Sequence, residues 1–135
     1  KQYQVKKICD ENNIDFFAYS PLSFGILCID PDKEENKEKS FIRNALFENY
    51  KKPTYELRRC LKRIANQRSV SQAQVAINWC CYQGTIPLVG MRKKSQVIDV
   101  SNVFKWNLNK NEFKVLQEVS KKCLKKMPKN PFSSN

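Results

Sequence analysis

Apolar positions along this chain alternate between two rhythms, one helical and one extended. Tyr3, Val5, Ile8 and Cys9 recur at near-helical spacing and predict a helix over residues 2–12. Asn12-Asn13 follows, and asparagine tolerates the left-handed conformation that ends helices. The rhythm then changes. Phe16-Phe17-Ala18-Tyr19 is apolar without polar alternation, the pattern of a strand buried on both faces, and predicts a strand over 14–19. Pro21 has no amide for a sheet ladder, so the strand ends before it. Ser20, next to that proline, is expected to be extended. Helical spacing returns with Leu57, Cys60, Leu61, Ile64 and Ala65, for which Thr54 is the expected cap. Ser71-Gln72-Ala73-Gln74 reads as a capping box opening a further helix, with Val75, Ala76, Trp79 and Cys80 inward and Gly84 as its stop. Thr85 to Gly90 reads as a second strand, kept short by Pro87. Two more helices complete the series. One carries Val97, Ile98, Val100 and Val103; the other follows the capping signature Asn109 to Glu112 and turns Phe113, Leu116, Val119 and Cys123 inward.

Between these elements, Leu22 to Leu27 forms a loop whose Gly25 answers a backbone need. Asp30 to Ser40 is highly charged and aperiodic, so residues 28–52 are expected to form a long exposed loop, serving either as a lid or as a surface insertion. Phe41 to Tyr50 can contribute a short helix. The tail 128–135 shows no packing pattern and is expected to be frayed. Two strands joined through helices imply parallel pairing with a right-handed crossover, hence an α/β fold.

The length of 135 residues suits one domain, here expected over 1–127. No apolar run reaches 18 residues, so no membrane-spanning helix is expected. With no leader, a cytoplasmic setting is expected. The opening on Lys1 suggests a piece of a longer polypeptide.

Charge changes the picture more. Twenty-five Lys and Arg against 13 Asp and Glu give a net charge of +12. Such a balance attracts nucleic acid, membrane surfaces or a phosphorylated cofactor. The basic residues are scattered from Lys1 to Lys129 without interleaved aromatics, which favours solvated helix faces over specific nucleic-acid or membrane contact. The six cysteines form no C-x-x-C pair and there is no histidine, so no structural zinc is expected and the thiols are expected to be reduced.

Two stretches carry candidate chemistry. Tyr19 and Ser20 sit where a strand ends at its carboxyl edge, the place where parallel α/β folds put ligand contacts. Gly90-Met91-Arg92-Lys93-Lys94 joins a strand end to a helix start. Amide donors, a positive dipole and an arginine fork suit a phosphate there, although a solvated basic turn would read the same.

Taken in order, Ala18-Tyr-Ser-Pro-Leu-x-x-Gly-x-Leu27, Leu61-x-x-Ile64-Ala65, Ser71-x-Ala73-Gln74-Val75-Ala76-x-Asn78-Trp79 and Ile86-Pro-Leu-Val-Gly90-x-Arg92 with Gln96 resemble the carboxyl-terminal part of aldo-keto reductases. The resemblance spans roughly residues 2 to 120. It implies a C-terminal fragment of a (β/α)8 TIM barrel, about the last two β/α units plus the preceding helix. It also implies that Tyr19 stacks on the nicotinamide of NADPH. Ser20, Leu22 and Gly25 lie where the family wraps the pyrophosphate and ribose. Gly90 lies in the turn that, with Arg92 and Lys93, holds the 2′-phosphate, and Gln96 and Asp99 lie at the adenosine end. Val100 stands where the family usually has an asparagine, Ser23 where glycine is usual, and Asn66-Gln67-Arg68 replaces a glycine turn.

The resemblance implies carbonyl reduction by hydride transfer from NADPH to a small-molecule aldehyde or ketone. The family's Asp/Tyr/Lys/His tetrad comes from earlier strands, so no catalytic residue is expected in this chain. Two strands alone leave sheet edges and faces open, so the remainder of the barrel, from the same polypeptide or another copy, is the expected partner. A cofactor-sensing regulatory module, like the channel subunits of the family, is the alternative; a basic nucleic-acid-binding domain is a weaker one.

Overall fold

The computed structural model describes residues 2–33 and 48–126. The expected loop over 28–52 lies partly outside these residues, as do the start of the short helix at 41–50 and the tail 128–135. Among these residues the elements run α1 (Gln2–Glu11), β1 (Phe17–Tyr19), the 3-10 turn η1 (Ser23–Cys28), α2 (Tyr55–Arg68), α3 (Gln72–Tyr82), β2 (Ile86–Leu88), α4 (Lys94–Ser101), η2 (Val103–Lys105) and α5 (Lys110–Leu124). Among the described residues no helix is long and apolar enough to cross a membrane.

The two strands pair in parallel, with Phe17 opposite Ile86, Ala18 opposite Pro87 and Tyr19 opposite Leu88. Pro87 fits because amides alternate in direction along a strand. Ile86 N–H points to β1 and donates to the Phe16 carbonyl at 2.9 Å, so the missing amide of Pro87 falls on the other edge. Matched residues of a parallel pair share a face. Phe17, Tyr19, Ile86 and Leu88 therefore form one apolar face, and all four are exposed. The unbroken apolar run had suggested burial on both sides. Among the described residues, only the side carrying Phe16, Ala18 and Pro87 is partly covered. The helix α1 is bare in the same way, with Val5 and Ile8 exposed.

The core lies among the helices. α2 packs on α3 and α5. Its stripe of Leu57, Cys60, Leu61, Ile64 and Ala65 is buried as the spacing predicts, against Val75, Ala76, Leu108, Leu116 and Cys123. α3 differs from the expected amphipathic helix. Gln74 to Asn78 are all buried, while Trp79 and Cys80 are only partly so. The reason is position: α3 touches α2, α4, α5, β2, η1 and η2, so it is surrounded rather than one-sided.

The caps are mixed. Asn109 and Glu112 form the expected reciprocal pair, each side chain accepting the other's amide at 2.8 Å. Glu112 also accepts both arms of Arg68, at 2.9 and 2.8 Å. Burial pushes the Glu112 carboxyl up, but the Arg68 guanidinium and the Asn109 amide outweigh this and hold it below its ordinary 4.5. Ser71 caps α3 by accepting the Gln74 amide at 3.1 Å, but the Gln74 side chain does not reach back. Thr54 does not cap α2. Its amide donates to the Tyr50 carbonyl and its own carbonyl accepts from Arg58, so helical bonding already runs through it, and its hydroxyl turns back to Tyr50.

α2 ends on Ser69 in the left-handed region, φ 54°, one residue beyond the Asn66-Gln67-Arg68 stretch. A Cβ there is strained. Ser69→Gly is therefore expected to stabilise the protein by about 0.5–1 kcal/mol, read as a raised urea midpoint with unchanged slope.

Candidate functional site

Pairing of β1 with β2 sets their carboxyl ends side by side, since Tyr19 stands opposite Leu88. From these two ends the chain leaves in two turns, and both carry the residues singled out by sequence.

The first turn is Ser20 to Cys28. Tyr19 closes the strand and is 79% exposed, on the bare face of the sheet. Ser20 is not extended: its φ is 52°. The preference imposed by Pro21 is local, and it yields to a compact fold-back in which Ser23 N–H donates to the Ser20 carbonyl and Gly25 N–H to the Leu22 carbonyl, both at 2.9 Å. Ser23, Phe24 and Gly25 follow with φ of 47°, 58° and 96°. Gly25 thus has the backbone need that its place in the sequence implied. Two buried residues, Ile26 and Leu27, pin the turn to the core, and Leu22 packs beside them. Gln72 adds a polar pin, its amide nitrogen donating to the Leu27 and Ile29 carbonyls at 3.0 and 3.3 Å. Just beyond, Lys62 holds Asp30 at 2.6 Å and Asp32 at 2.9 Å. The hydrogen bond from Lys62 lowers the Asp30 carboxyl below its ordinary range, and donating to Asp30 and Asp32 raises the Lys62 ammonium. An open hollow of about 480 Å³ runs beside this turn, lined among others by Phe17, Tyr19, Pro21, Ser23 and Trp79.

The second turn is Gly90 to Lys93, exposed throughout. The side chain of Gln96 organises it. Its Oε1 accepts from the Arg92 amide at 2.8 Å and from the Lys93 amide at 3.0 Å, folding the turn onto the first turn of α4. Among the described residues no carboxylate pairs with Arg92, Lys93 or Lys94, so three cations cluster at this helix start. A Cβ on Gly90 would meet nothing within 4 Å, so at that position open space adjoins the backbone.

Tyr19, Ser20, Leu22, Gly25, Gly90, Arg92 and Lys93 are therefore carried at one end of the sheet. Gln96 spends its carbonyl oxygen on the turn itself. Asp99 is directed elsewhere: its carboxylate accepts from Ser71 Oγ and from Gln74 Nε2, each at 2.6 Å. Val100, beside it, is half-buried and offers no polar group.

Sequence reasoning missed the polar pins. Lys62, Gln72 and Gln74 act across separations of 25 to 45 residues, and a local pattern carries no signal for such bonds. No thiol is poised for chemistry at this site. Burial, with Cys81 adding to it, pushes Cys80 up to about 11, which keeps it protonated and inert. The six cysteines are all free thiols, and among the described residues no group of three or more His, Cys, Asp or Glu could hold a metal.

Comparison with known proteins places this geometry. The profile of the Aldo/keto reductase family matches residues 1–121. Pyridoxal reductase, chloroplastic, of Arabidopsis thaliana is 33% identical over 134 residues, 99% of this chain and 36% of that protein. Rhazimal reductase 2 of Alstonia scholaris is 28% identical over 120 residues, 88% of this chain and 30% of that protein. Among solved structures, the glycerol dehydrogenase of Gluconobacter oxydans superposes with a TM-score of 0.69 at 25% identity, over 94% of this chain and 40% of that one. The chain thus spans about a third of the length of these curated relatives and has the fold of part of a (β/α) barrel. A pair of parallel strands presenting Tyr19 on one and a cationic helix start on the other, together with a profile match over nearly every residue, establishes that this chain belongs to the aldo/keto reductase family.

Proposed function

We propose that this chain is the cofactor-binding, carboxyl-terminal part of an NADPH-dependent carbonyl reductase. The observation that carries the reading is the pairing of Tyr19 with Leu88, which puts an exposed aromatic ring and the Arg92 turn at one end of the sheet.

The donor set fits a phosphorylated dinucleotide. Arg92 can take a phosphate with two parallel hydrogen bonds, Lys93 and Lys94 add charge, and the start of α4 adds its dipole. Tyr19 offers a flat face for an aromatic ring. The fold-back Ser20–Gly25, pinned by Gln72, would line the connecting pyrophosphate and ribose. When bound, NADPH supplies the hydride that a carbonyl carbon receives. In this reading this chain's residues hold and orient, and the chain has no histidine. The acid that completes carbonyl reduction would come from the part of the barrel that supplies the family's tetrad. We read the bare face of Phe17, Tyr19, Ile86 and Leu88 as the surface on which that part closes. The free thiols fit a reducing, cytoplasmic setting.

The test is titration of the purified natural protein with NADPH and with NADH, followed by protein fluorescence. Arg92→Ala is expected to weaken NADPH by about 1.5–3 kcal/mol, the loss of a charge-assisted bond, and to leave NADH nearly unchanged. Tyr19→Ala is expected to weaken both. Equal loss of the two cofactors in Arg92→Ala would sink the phosphate role.

A further inference from the structure

The helix that carries the cationic turn, α4, buries none of its own residues. Apolar packing therefore does not fix its direction. Polar contacts do, and they lead to one side chain. Asp99 lies in the last turn of α4, two residues before its carboxyl end, and is half-buried. Its Oδ2 accepts from Ser71 Oγ and its Oδ1 from Gln74 Nε2, each at 2.6 Å. Ser71 caps α3 and Gln74 lies in its first turn, where a carboxylate also meets the positive end of the helix dipole. The partners are themselves held. Ser71 Oγ accepts the Gln74 amide at 3.1 Å, and buried Gln74 accepts from Trp106 Nε1 at 3.1 Å. Asp99 is thus plugged into a rigid socket at the head of the surrounded helix.

We infer that Asp99 is a positioning residue for phosphate recognition: it aims the start of α4, and with it Arg92 and Lys93, and is not itself a ligand of the cofactor. This inference rests on the reading under Proposed function. The lever is simple. The carboxyl end of α4 is tied through η2, whose Val103 is buried. An eight-residue helix is about 12 Å long, so a tilt of about 10° around that end moves its start by about 2 Å, enough to break a hydrogen bond. Asp99 supplies the second point that prevents the tilt. With both carboxylate oxygens turned to α3, the charge of Asp99 is also kept from pairing with the cations of the turn.

The experiment measures dissociation constants of NADPH and NADH for the purified natural protein and its variants. Asp99→Ala is expected to weaken NADPH by about tenfold while NADH stays within about twofold, because only the 2′-phosphate reads the aim of the turn. Asp99→Asn keeps an acceptor for Gln74 and a donor for Ser71, and is expected to recover most of the affinity. Ser71→Ala, which leaves Asp99 in place but removes one of its bonds, is expected to give a smaller loss of the same selectivity; it also serves if Asp99→Ala does not fold. A purely structural role would leave the NADPH-to-NADH ratio unmoved. A direct contact to the shared adenosine would weaken both cofactors alike. Either result, or an Asp99→Asn variant no better than Asp99→Ala, overturns the inference. Arg92→Ala separates the two levels. If it is selective for NADPH and Asp99→Ala is not, only the positioning role fails. If Arg92→Ala spares NADPH, the phosphate reading has failed and the inference falls with it.

Discussion

Leu116→Ala is expected to destabilise the protein by about 2–5 kcal/mol, the cost of lost burial plus a cavity that only partly collapses. Leu116 is 0% exposed and sits in the cluster that joins α5 to α2. Its neighbours there include Leu57, Leu61 and Ile64, held by their own helix, so the wall around the gap has little freedom to relax. Leu116→Met, which nearly conserves volume, should cost under about 1.5 kcal/mol. Leu124→Ala on the same helix is the control, because that side chain is 59% exposed and should be close to neutral. Urea unfolding of the three variants gives the order directly. A Leu116→Ala midpoint equal to that of Leu124→Ala would mean that α5 does not pack as described.

Asn78→Ala should cost about 3 kcal/mol, through polar rather than apolar loss. Asn78 is 3% exposed and joins α3 to the segment between α4 and α5. Its Nδ2 donates to the Val103 and Trp106 carbonyls at 3.2 and 2.8 Å, and its Oδ1 accepts the Leu108 amide at 3.1 Å. Alanine removes the partner of all three while leaving them away from water, and each orphaned group costs on the order of 1 kcal/mol or more. Asn78→Asp should be no better. It keeps the acceptor for Leu108 but aims a charge at two carbonyls in a buried site. Hydrogen exchange adds a local check: the Leu108 amide should lose protection in Asn78→Ala beyond what global destabilisation explains. Retained protection there would show that the bond carries little.

Much of the helical frame was legible because its signals are local. The stripe from Leu57 to Ala65 and the reciprocal cap of Asn109 and Glu112 lie within one or two turns of chain, so periodicity and capping rules reach them. α3 was less legible for a physical reason. A helix covered from several sides buries Gln74 and Asn78 along with Val75 and Ile77, and its amphipathic stripe disappears. The Phe16–Tyr19 run had the composition of a strand covered twice, but what would cover Phe17 and Tyr19 is not among the described residues. Ser20 shows a local rule overruled, since two backbone bonds and the burial of Ile26 and Leu27 hold the turn that its proline disfavours. The places of Tyr19 at a strand end and of Arg92 just before a helix start were legible, because strand ends and helix starts announce themselves in sequence. The socket of Asp99 was not, because its partners lie 25 and 28 residues away in the chain.

Wherever the face of Phe17, Tyr19, Ile86 and Leu88 is left uncovered, it also sets how the chain behaves in concentrated solution. At a net charge of +12, like surfaces repel over distance, whereas apolar attraction acts only at touch. Added electrolyte shortens the repulsion, to a screening length of about 3 Å at 1 M, and leaves the attraction intact. Ionic strength therefore works against colloidal stability here, and dilute buffer is the medium in which molecules carrying this face stay apart.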